Sequence, residues 1–519
     1  MNKRWSIIIL VSILLVAAYL RLWGIGDYMT FLGDEGRDVL VAKGILEGHF
    51  TLLGPRASAG DFFLGPIYYY MIAPWLWLFR MDPVGPSVMV ALIGIVTVWL
   101  TYYVGKKWFN ETAGLIAAAL YAVSPVVIIY SHSSWNPNVL PFFALLLIWL
   151  LYKTTQAKNV TRYFISVGFL LGIALQLHYL SLFLVLTVLA YTFWAKWYTV
   201  RKIQIINILR HYLEISLGFL IGFAPFLAFE FRHGFPNIRA ILGFVFSDTL
   251  QKTYETNATF WSTVSDVFFR AFAKLVFYYP SPDKYYLFNS LQLTLFAWAV
   301  VLIAVAALVS LFLVKNKQVV ALTAFWFFIG VIAFGFYKKP IYDYYFTFMF
   351  PLPFLIVGNF FSQLPVWGRN KQQKMALFIL VAVIFSGIFV YDFSGRPQRY
   401  IPNHQKNQAK IISEAVIKYA DNKPYNFALI SKGNSDHAYR YFLDILGNPP
   451  VTIQNTILDP QRTTVTDQLL IVCEDIECHP LGYSLFDIAG FGRAEIAGSW
   501  DVSVVKVYKL VHFVEGKSK

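Results

Sequence analysis

Asp34, Glu35, Arg37 and Asp38 fall within five positions of the stretch "GDEGRDVLVAKGILEG", directly after a long apolar run. Adjacent carboxylates beside an arginine are residue types that can accept a proton from a nucleophile or grip an anion through a guanidinium. At the edge of a membrane such carboxylates are costly unless they are solvated, paired or working. The spacing also fits a solvated loop in which Asp34 caps a helix starting near Glu35, so both readings stand at this point. Further polar candidates follow: Arg56 and Asp61; His132, Trp135, Asn136 and Asn138 in "SHSSWNPN"; His178 and Tyr179 in "LQLHYLS"; and Lys338, Lys339, Tyr342, Asp343 and Tyr345 in "YKKPIYDYY".

The elements that must position these residues are set by an apolar chain. Of 519 residues 57% are hydrophobic, 18% aromatic and 14% charged, which is the composition of an integral membrane protein. A bilayer core of about 30 Å takes roughly 20 apolar residues per helical crossing, and about eleven such stretches lie between Ser6 and Tyr391. Lys3 and Arg4 before the first run mimic a signal peptide, but no convincing small-residue cleavage site follows and more spans lie downstream, so a retained anchor is expected.

The formal charge of +14 is distributed as topology. With Lys3 and Arg4 inside, alternate connections carry Lys106 and Lys107; Lys153, Lys158 and Arg162; Lys196, Arg201, Lys202 and Arg210; Lys315 and Lys317; then Arg369, Lys371 and Lys374. The acids near those membrane ends are Glu111 and Glu214. The basic excess therefore predicts a cytoplasmic N-terminus, and no nucleic-acid partner is expected. The same threading puts every unusual polar segment outside: the first loop (24–82), 131–138, 175–181, 232–288, 337–345 and everything after 392.

Within the first outer loop, helical stretches are expected near "DVLVAKGILEG" and "GPIYYYMIAPWLWLF", the second rich in Tyr and Trp as an interfacial helix would be. Lys43 and Glu47, four apart, are spaced to pair. From 392 onward the chain changes character, with helices near "QAKIISEAVIKYA" and "DHAYRYFLDIL" and strands near "NFALIS", "QLLIVCE" and "VSVVKVYKLV". The expected architecture is an all-α polytopic domain over 1–391, with amphipathic helices in its first outer loop, and an extracytoplasmic soluble α/β domain over 392–519. Cys473 and Cys478 are close enough for a small disulfide loop in an oxidising compartment, or are two free thiols.

A first span followed by a long outer loop that opens on an acidic pair resembles the GT-C glycosyltransferases that use polyprenyl-phosphate sugars, among them the dolichyl-phosphate-mannose protein mannosyltransferases and the bacterial aminoarabinose transferases of lipid A. The resemblance is carried by "GDEGRDVLVAKGILEG", "FLGPIYYYMIAPWLWLF" and "SPVVIIYSHSSWNPNVLP", with support from "YKKPIYDYYFTFMFPLPFLIVG", and covers most of residues 1–365. It implies a GT-C fold, a polyprenyl-phosphate sugar donor, and a protein, lipid or glycan acceptor at the outer face. It also implies that Asp34 is the catalytic aspartate, with Glu35 beside it, and that Arg37 falls at a phosphate ligand of the aminoarabinose transferases. The chain departs from those transferases where they carry a Glu-Lys pair just before the proline of the second loop helix: here Leu64 and Gly65 stand there, so the donor phosphate must be held differently, with Arg56, Lys338 and Lys339 as candidates.

The implied chemistry suits these residues. Displacing a phosphate from an anomeric carbon needs a base for the acceptor's proton, and the leaving group gains charge that fixed cations stabilise. Lys338 and Lys339 form a basic pair on the side where the topology rule disfavours one, although snorkelling at a helix end explains them equally. Trp135, Asn136, Asn138 and His132 suit sugar or pyrophosphate contacts, or serve turn chemistry around Asn-Pro. His178 and Tyr179 end a span on the same side, and Tyr342 and Tyr345 are grouped with them. Asp61 and Asp343 could join Asp34 and Glu35 around a divalent ion, but the set is dispersed and metal dependence stays open. No phosphate-cradling glycine loop appears, which agrees with a lipid-linked donor. Two other classes remain: a lipid-linked saccharide flippase, which places its polar residues at mid-membrane, and a polysaccharide polymerase or ligase, for which 232–288 supplies a long enough outer loop.

Overall fold

The computed structural model describes residues 3–57, 61–201, 204–246 and 258–514. Lys202, counted above among the cytoplasmic cations, lies outside them. Eight helices among the described residues are long and apolar enough to cross a membrane: Lys3–Leu22, Val84–Trp108, Asn136–Lys153, Tyr179–Val200, Ile205–Gly222, Ser290–Leu313, Lys317–Phe336 and Lys371–Ser394. Two further candidates are broken, Glu111–Val123 with Pro125–His132 bent by 59° and Asp343–Met349 with Pro351–Trp367 bent by 61°, which brings the number to ten. The remaining apolar stretch, Thr161–Leu177, has 17 residues. Hydropathy registers apolar length but not bends, so it does not distinguish the two broken spans from straight ones. Each bend sits at a proline that cannot continue the preceding helix, Pro125 after Ser124 and Pro351 after Phe350.

Helices Thr161–Leu177 and Ile205–Gly222 approach almost backbone to backbone. Both carry glycines four apart, Gly168 and Gly172 on one, Gly218 and Gly222 on the other. A methyl group at Gly168 would stand 1.9 Å from the Ile215 carbonyl oxygen, and one at Gly218 would stand 1.9 Å from that of Ile165. Small residues at this spacing let membrane helices gain dispersion contacts where no hydrophobic driving force separates them from lipid.

The first loop, 24–82, folds into helices Ile25–Tyr28, Gly33–Leu46 and Ile67–Leu78. The middle helix begins five residues earlier than the apolar pattern suggests, which puts Asp34 and Glu35 in its first turn, where the helix dipole favours acids. The aromatic helix is less superficial than expected: Tyr68, Ile72 and Leu76, four apart, are fully buried, while Trp77 remains exposed.

The C-terminal segment forms a four-stranded sheet, β1 (Asn426–Ile430), β2 (Gln468–Cys473), β3 (Ala494–Val502) and β4 (Val505–His512), in the order β1-β2-β4-β3. β1 and β2 are parallel and the other pairs antiparallel. "VSVVKVYKLV", read above as one strand, is divided: Val502 ends β3, Ser503 takes a positive φ of 54°, and β4 returns from Val505. β3 itself, "AEIAGSWDV", escaped the sequence pattern because Ala, Gly and Ser blur its alternation. Cys473 and Cys478 are joined by a disulfide just past the end of β2.

This domain is anchored on the first loop. Tyr441 Oη donates to the Met81 carbonyl at 2.6 Å, Lys406 pairs with Asp82 at 3.2 Å, and Lys43 bridges Glu47 at 2.6 Å and Asp444 at 3.0 Å. Replacing Gly218 by Leu should overpack the two-helix contact and destabilise the membrane domain by about 1–3 kcal/mol. Thermal unfolding in detergent is the check, with an unchanged midpoint counting against a tight interface.

Candidate active site

Three loops converge at the N-terminus of helix Gly33–Leu46. The Gly33 amide, one of the donors a helix start leaves unpaired, is met by Asn434 Oδ1 of the C-terminal domain at 2.8 Å. Asn434 is in turn fixed by its amide nitrogen on Glu474 Oε1 at 2.9 Å, which also accepts from Tyr439 Oη at 2.7 Å. Neither Gly33 nor Gly36 can carry a side chain here: a Cβ on Gly33 would lie 1.9 Å from Ser435 Oγ, and one on Gly36 would lie 2.2 Å from the Ala438 amide.

The acidic cluster divides its tasks. Glu35 is buried and caps its own helix, its Oε2 accepting from the Leu32 amide at 3.1 Å. The capping role considered for Asp34 thus belongs to its neighbour. Asp34 stays half exposed and takes a bond of 2.7 Å from Arg37 Nη1. Arg37 also grips the fully buried Asp38 through Nε at 2.9 Å and Nη2 at 2.7 Å. A guanidinium offers five N–H groups, more than the three these bonds use, so the fork is held in place while keeping donor capacity. Burial pushes the Glu35 carboxyl up to about 7, opposed by the bond from the Leu32 amide and reinforced by Asp34. Burial does the same for Asp38, to about 7, against the pull of Arg37.

Asp34 faces two cavities. The smaller, about 270 Å³, is lined by Asp34, Arg37, Arg56, Trp135, His178 and Tyr179 among others. Tyr179 also lines a groove of about 860 Å³ whose walls are almost wholly apolar and include Lys338 and Lys339. The second cavity on Asp34, about 620 Å³, runs past Trp135 and Asn138 to residues 432–435 of the C-terminal domain. The two bent spans deliver the aromatic wall: Trp135, past the first bend, meets Tyr344, before the second, with ring centroids 4.4 Å apart.

The other residues singled out in the sequence sort by position. His132 is buried away from these cavities, Nε2 lying 2.9 Å from the Leu20 carbonyl oxygen. Asn136 lines the smaller cavity, yet its amide donates to the Leu177 carbonyl at 2.5 Å and holds the turn. Tyr345 is buried against His178 and Tyr179, and Tyr342 stacks on Tyr344. Asp61 pairs with Arg56 at 2.6 Å. Asp343 is claimed by Arg270 and by Lys274 at 3.2 Å, cations of a helix (Phe260–Ala273) and its extension that the sequence gave no reason to single out. The carboxylates considered for a divalent ion therefore do not converge, and no group of three or more His, Cys, Asp or Glu side chains suited to a metal occurs among the described residues. Tyr344 and the 432–435 segment were missed. Tyr344 sits inside a run already marked as polar, whereas nothing local ties 432–435 to Asp34.

The departure at Leu64 and Gly65 has a steric reason. A Cβ on Gly65 would stand 2.2 Å from the Gln176 side chain, which accepts from the Ile67 amide and donates to the Gly222 carbonyl, so that side chain occupies the space into which the Lys of the pair would project. Arg56 lines the cavity from the same loop.

Residues 64–229 match the family model described as dolichyl-phosphate-mannose-protein mannosyltransferase. YkcB of Bacillus subtilis, a candidate mannosyltransferase by name, is 25% identical over 187 residues, 36% of this chain, and the match spans only 26% of that protein. ArnT from Cupriavidus metallidurans superposes with a TM-score of 0.62 over 98% of both chains at 12% identity, and with 0.60 in its complex with undecaprenyl phosphate. The oligosaccharyltransferase AglB from Archaeoglobus fulgidus, in complex with an inhibitory peptide and a dolichol-phosphate, gives 0.52 over 90% of this chain and 69% of its own at 13% identity. The chain shares the fold of ArnT and of AglB.

Because burial raises the folded Glu35 carboxyl above its unfolded value, the stability it allows is fully present below the ordinary carboxylate range and is lost as pH rises through about 7. Glu35→Gln keeps an oxygen for the Leu32 amide and removes the ionisation. The variant should lose less thermal stability than the parent between pH 4.5 and about 7, the interval between the ordinary and the raised values of the carboxyl. Parallel melting curves across that range would rule the effect out.

Proposed function

We propose that the protein transfers a sugar from a polyprenyl-phosphate donor to an acceptor hydroxyl or amine at the outer face of the membrane. The observation that carries this reading is that the long apolar groove and the charged cavity lie side by side, with Tyr179 lining both. An isoprenoid tail fits the groove, its phosphate fits among Lys338, Lys339, Arg37 and Arg56, and the sugar then lies toward Asp34. ArnT with undecaprenyl phosphate and AglB with dolichol-phosphate share this fold, which supports a lipid-linked donor.

Asp34 then acts as general base. The acceptor's oxygen or nitrogen attacks the anomeric carbon, its proton passes to the Asp34 carboxylate, and the carbon–oxygen bond to phosphate breaks with its electron pair leaving on the phosphate. Cations in a partly dry cavity stabilise that charge more strongly than water-exposed ones would. A single displacement inverts the anomeric centre, as in single-displacement glycoside chemistry. Asp38 holds the Arg37 fork, so Arg37 meets the phosphate in a fixed orientation.

Asp34→Asn keeps the shape and should lower turnover by about a hundredfold to ten-thousandfold, with undecaprenyl-phosphate binding retained. Arg37→Ala should instead weaken donor use. Normal turnover of the Asp34→Asn protein, or a product with the donor's anomeric configuration, would overturn the assignment. Orientation follows from the basic loops, with the N-terminus cytoplasmic and the C-terminal domain outside. Reporters fused after Lys374 and after Lys519 should label opposite sides, and a cytoplasmic signal from both would reverse that topology.

A further inference from the structure

The second cavity on Asp34 has its own chemistry. We infer that it is the acceptor subsite and takes the terminal sugar of a glycan, with residues 432–435 of the C-terminal domain as its outer wall; this rests on the transferase reading above.

Position is the first argument. Asp34 and Trp135 border both cavities, but only the smaller one adjoins the apolar groove, sharing Tyr179 with it. A nucleophile entering beside residues 432–435 reaches the same carboxylate without crossing the space the donor needs. The volume, about 620 Å³, lies inside the range of about 300–1,000 Å³ usual for small-molecule sites.

The lining is the second argument. It offers hydroxyls from Thr30, Ser133 and Ser435, an amide from Asn138, and the rings of Tyr130 and Trp135. Neutral donors and acceptors beside aromatic faces complement a sugar, whose rim is hydroxylated and whose faces are C–H surfaces. Asn138 uses its amide nitrogen on the Ser133 carbonyl at 2.9 Å, and its oxygen has no hydrogen-bond partner among the described residues. Recognition of a peptide would favour an exposed strand edge or a series of side-chain pockets, and no strand of the sheet lines this cavity. In the reaction, a ring hydroxyl of the acceptor supplies the oxygen that bonds to the anomeric carbon and gives its proton to Asp34, while the phosphate departs with the electron pair.

The rim straddles two media. Ile129, 51% exposed, belongs to the bent span Glu111–His132 at one lip, and the exposed Lys432 and Gly433 form the other. The sugar can therefore arrive on a lipid or on a free glycan.

Gly433 provides the test, because a Cβ there would meet nothing within 4 Å and its φ is not in the left-handed region. Gly433→Trp should fill the cavity without disturbing the fold. With the full chain in phosphatidylcholine nanodiscs, saturation-transfer NMR would follow cellobiose, octyl glucoside and an acetyl-Ala-Thr-Ala-amide peptide, and undecaprenyl phosphate would be titrated separately. The two sugars should bind the parent, and Gly433→Trp should weaken both about tenfold or more while leaving the undecaprenyl-phosphate affinity unchanged. Tighter binding of octyl glucoside than of cellobiose would assign a membrane-held acceptor, and equal binding a free glycan. Peptide binding without sugar binding, or sugar binding that survives the substitution, would overturn the inference. Should Gly433→Trp misfold, Lys432→Trp makes the same test from the adjoining exposed position. Failure of the donor reading is seen separately, as a parent protein that does not bind undecaprenyl phosphate.

Discussion

The contact on which the site depends is the docking of helix Gly33–Leu46 against the C-terminal domain. Two glycines three residues apart let backbone meet backbone, and Asn434 supplies the acceptor that the Gly33 amide would otherwise lack. A carboxylate at the membrane edge can do chemistry only if its position is held, and Asp34 follows immediately on the residue so held. The hold extends through Glu474 to the segment closed by Cys473 and Cys478, so the soluble domain is part of the frame of the site.

Within that frame the charges are arranged so that none of the four is redundant. Glu35 satisfies the helix start, Asp38 fixes the guanidinium, Arg37 faces Asp34, and Asp34 alone is left half exposed. Burying two of the three carboxylates is costly, which is why their carboxyls are pushed upward. The third is spared because it borders both cavities.

The two bent spans give the site its walls. Each span is broken, at Pro125 and at Pro351, and Trp135, which follows the first, meets Tyr344, which belongs to the second. Asp343, which in the sequence looked available for a site, is used to pin this second turn to Arg270 and Lys274. Beside the tight passage of Gly65 over Gln176, the loop gives the cavity two basic side chains, Arg37 and Arg56.

By itself the sequence determined the medium and the outline: apolar runs of membrane-spanning length, basic loops on alternate connections, a first outer loop opening on Asp34 and Glu35, and a polar C-terminal segment with recognisable helices and three of its four strands. These are properties of neighbouring residues, since hydropathy, charge bias and strand alternation are all summed over short windows. Tertiary structure decided which carboxylate caps and which stays exposed, that His132 turns away while Tyr344 turns in, that Tyr179 lines both the apolar groove and the charged cavity, and that residues 432–435 reach Asp34 across some four hundred positions of chain. Such contacts depend on helix bends and on the close approach of glycines, and neither the angle of a bend nor the partner of a glycine is written in the residues beside it.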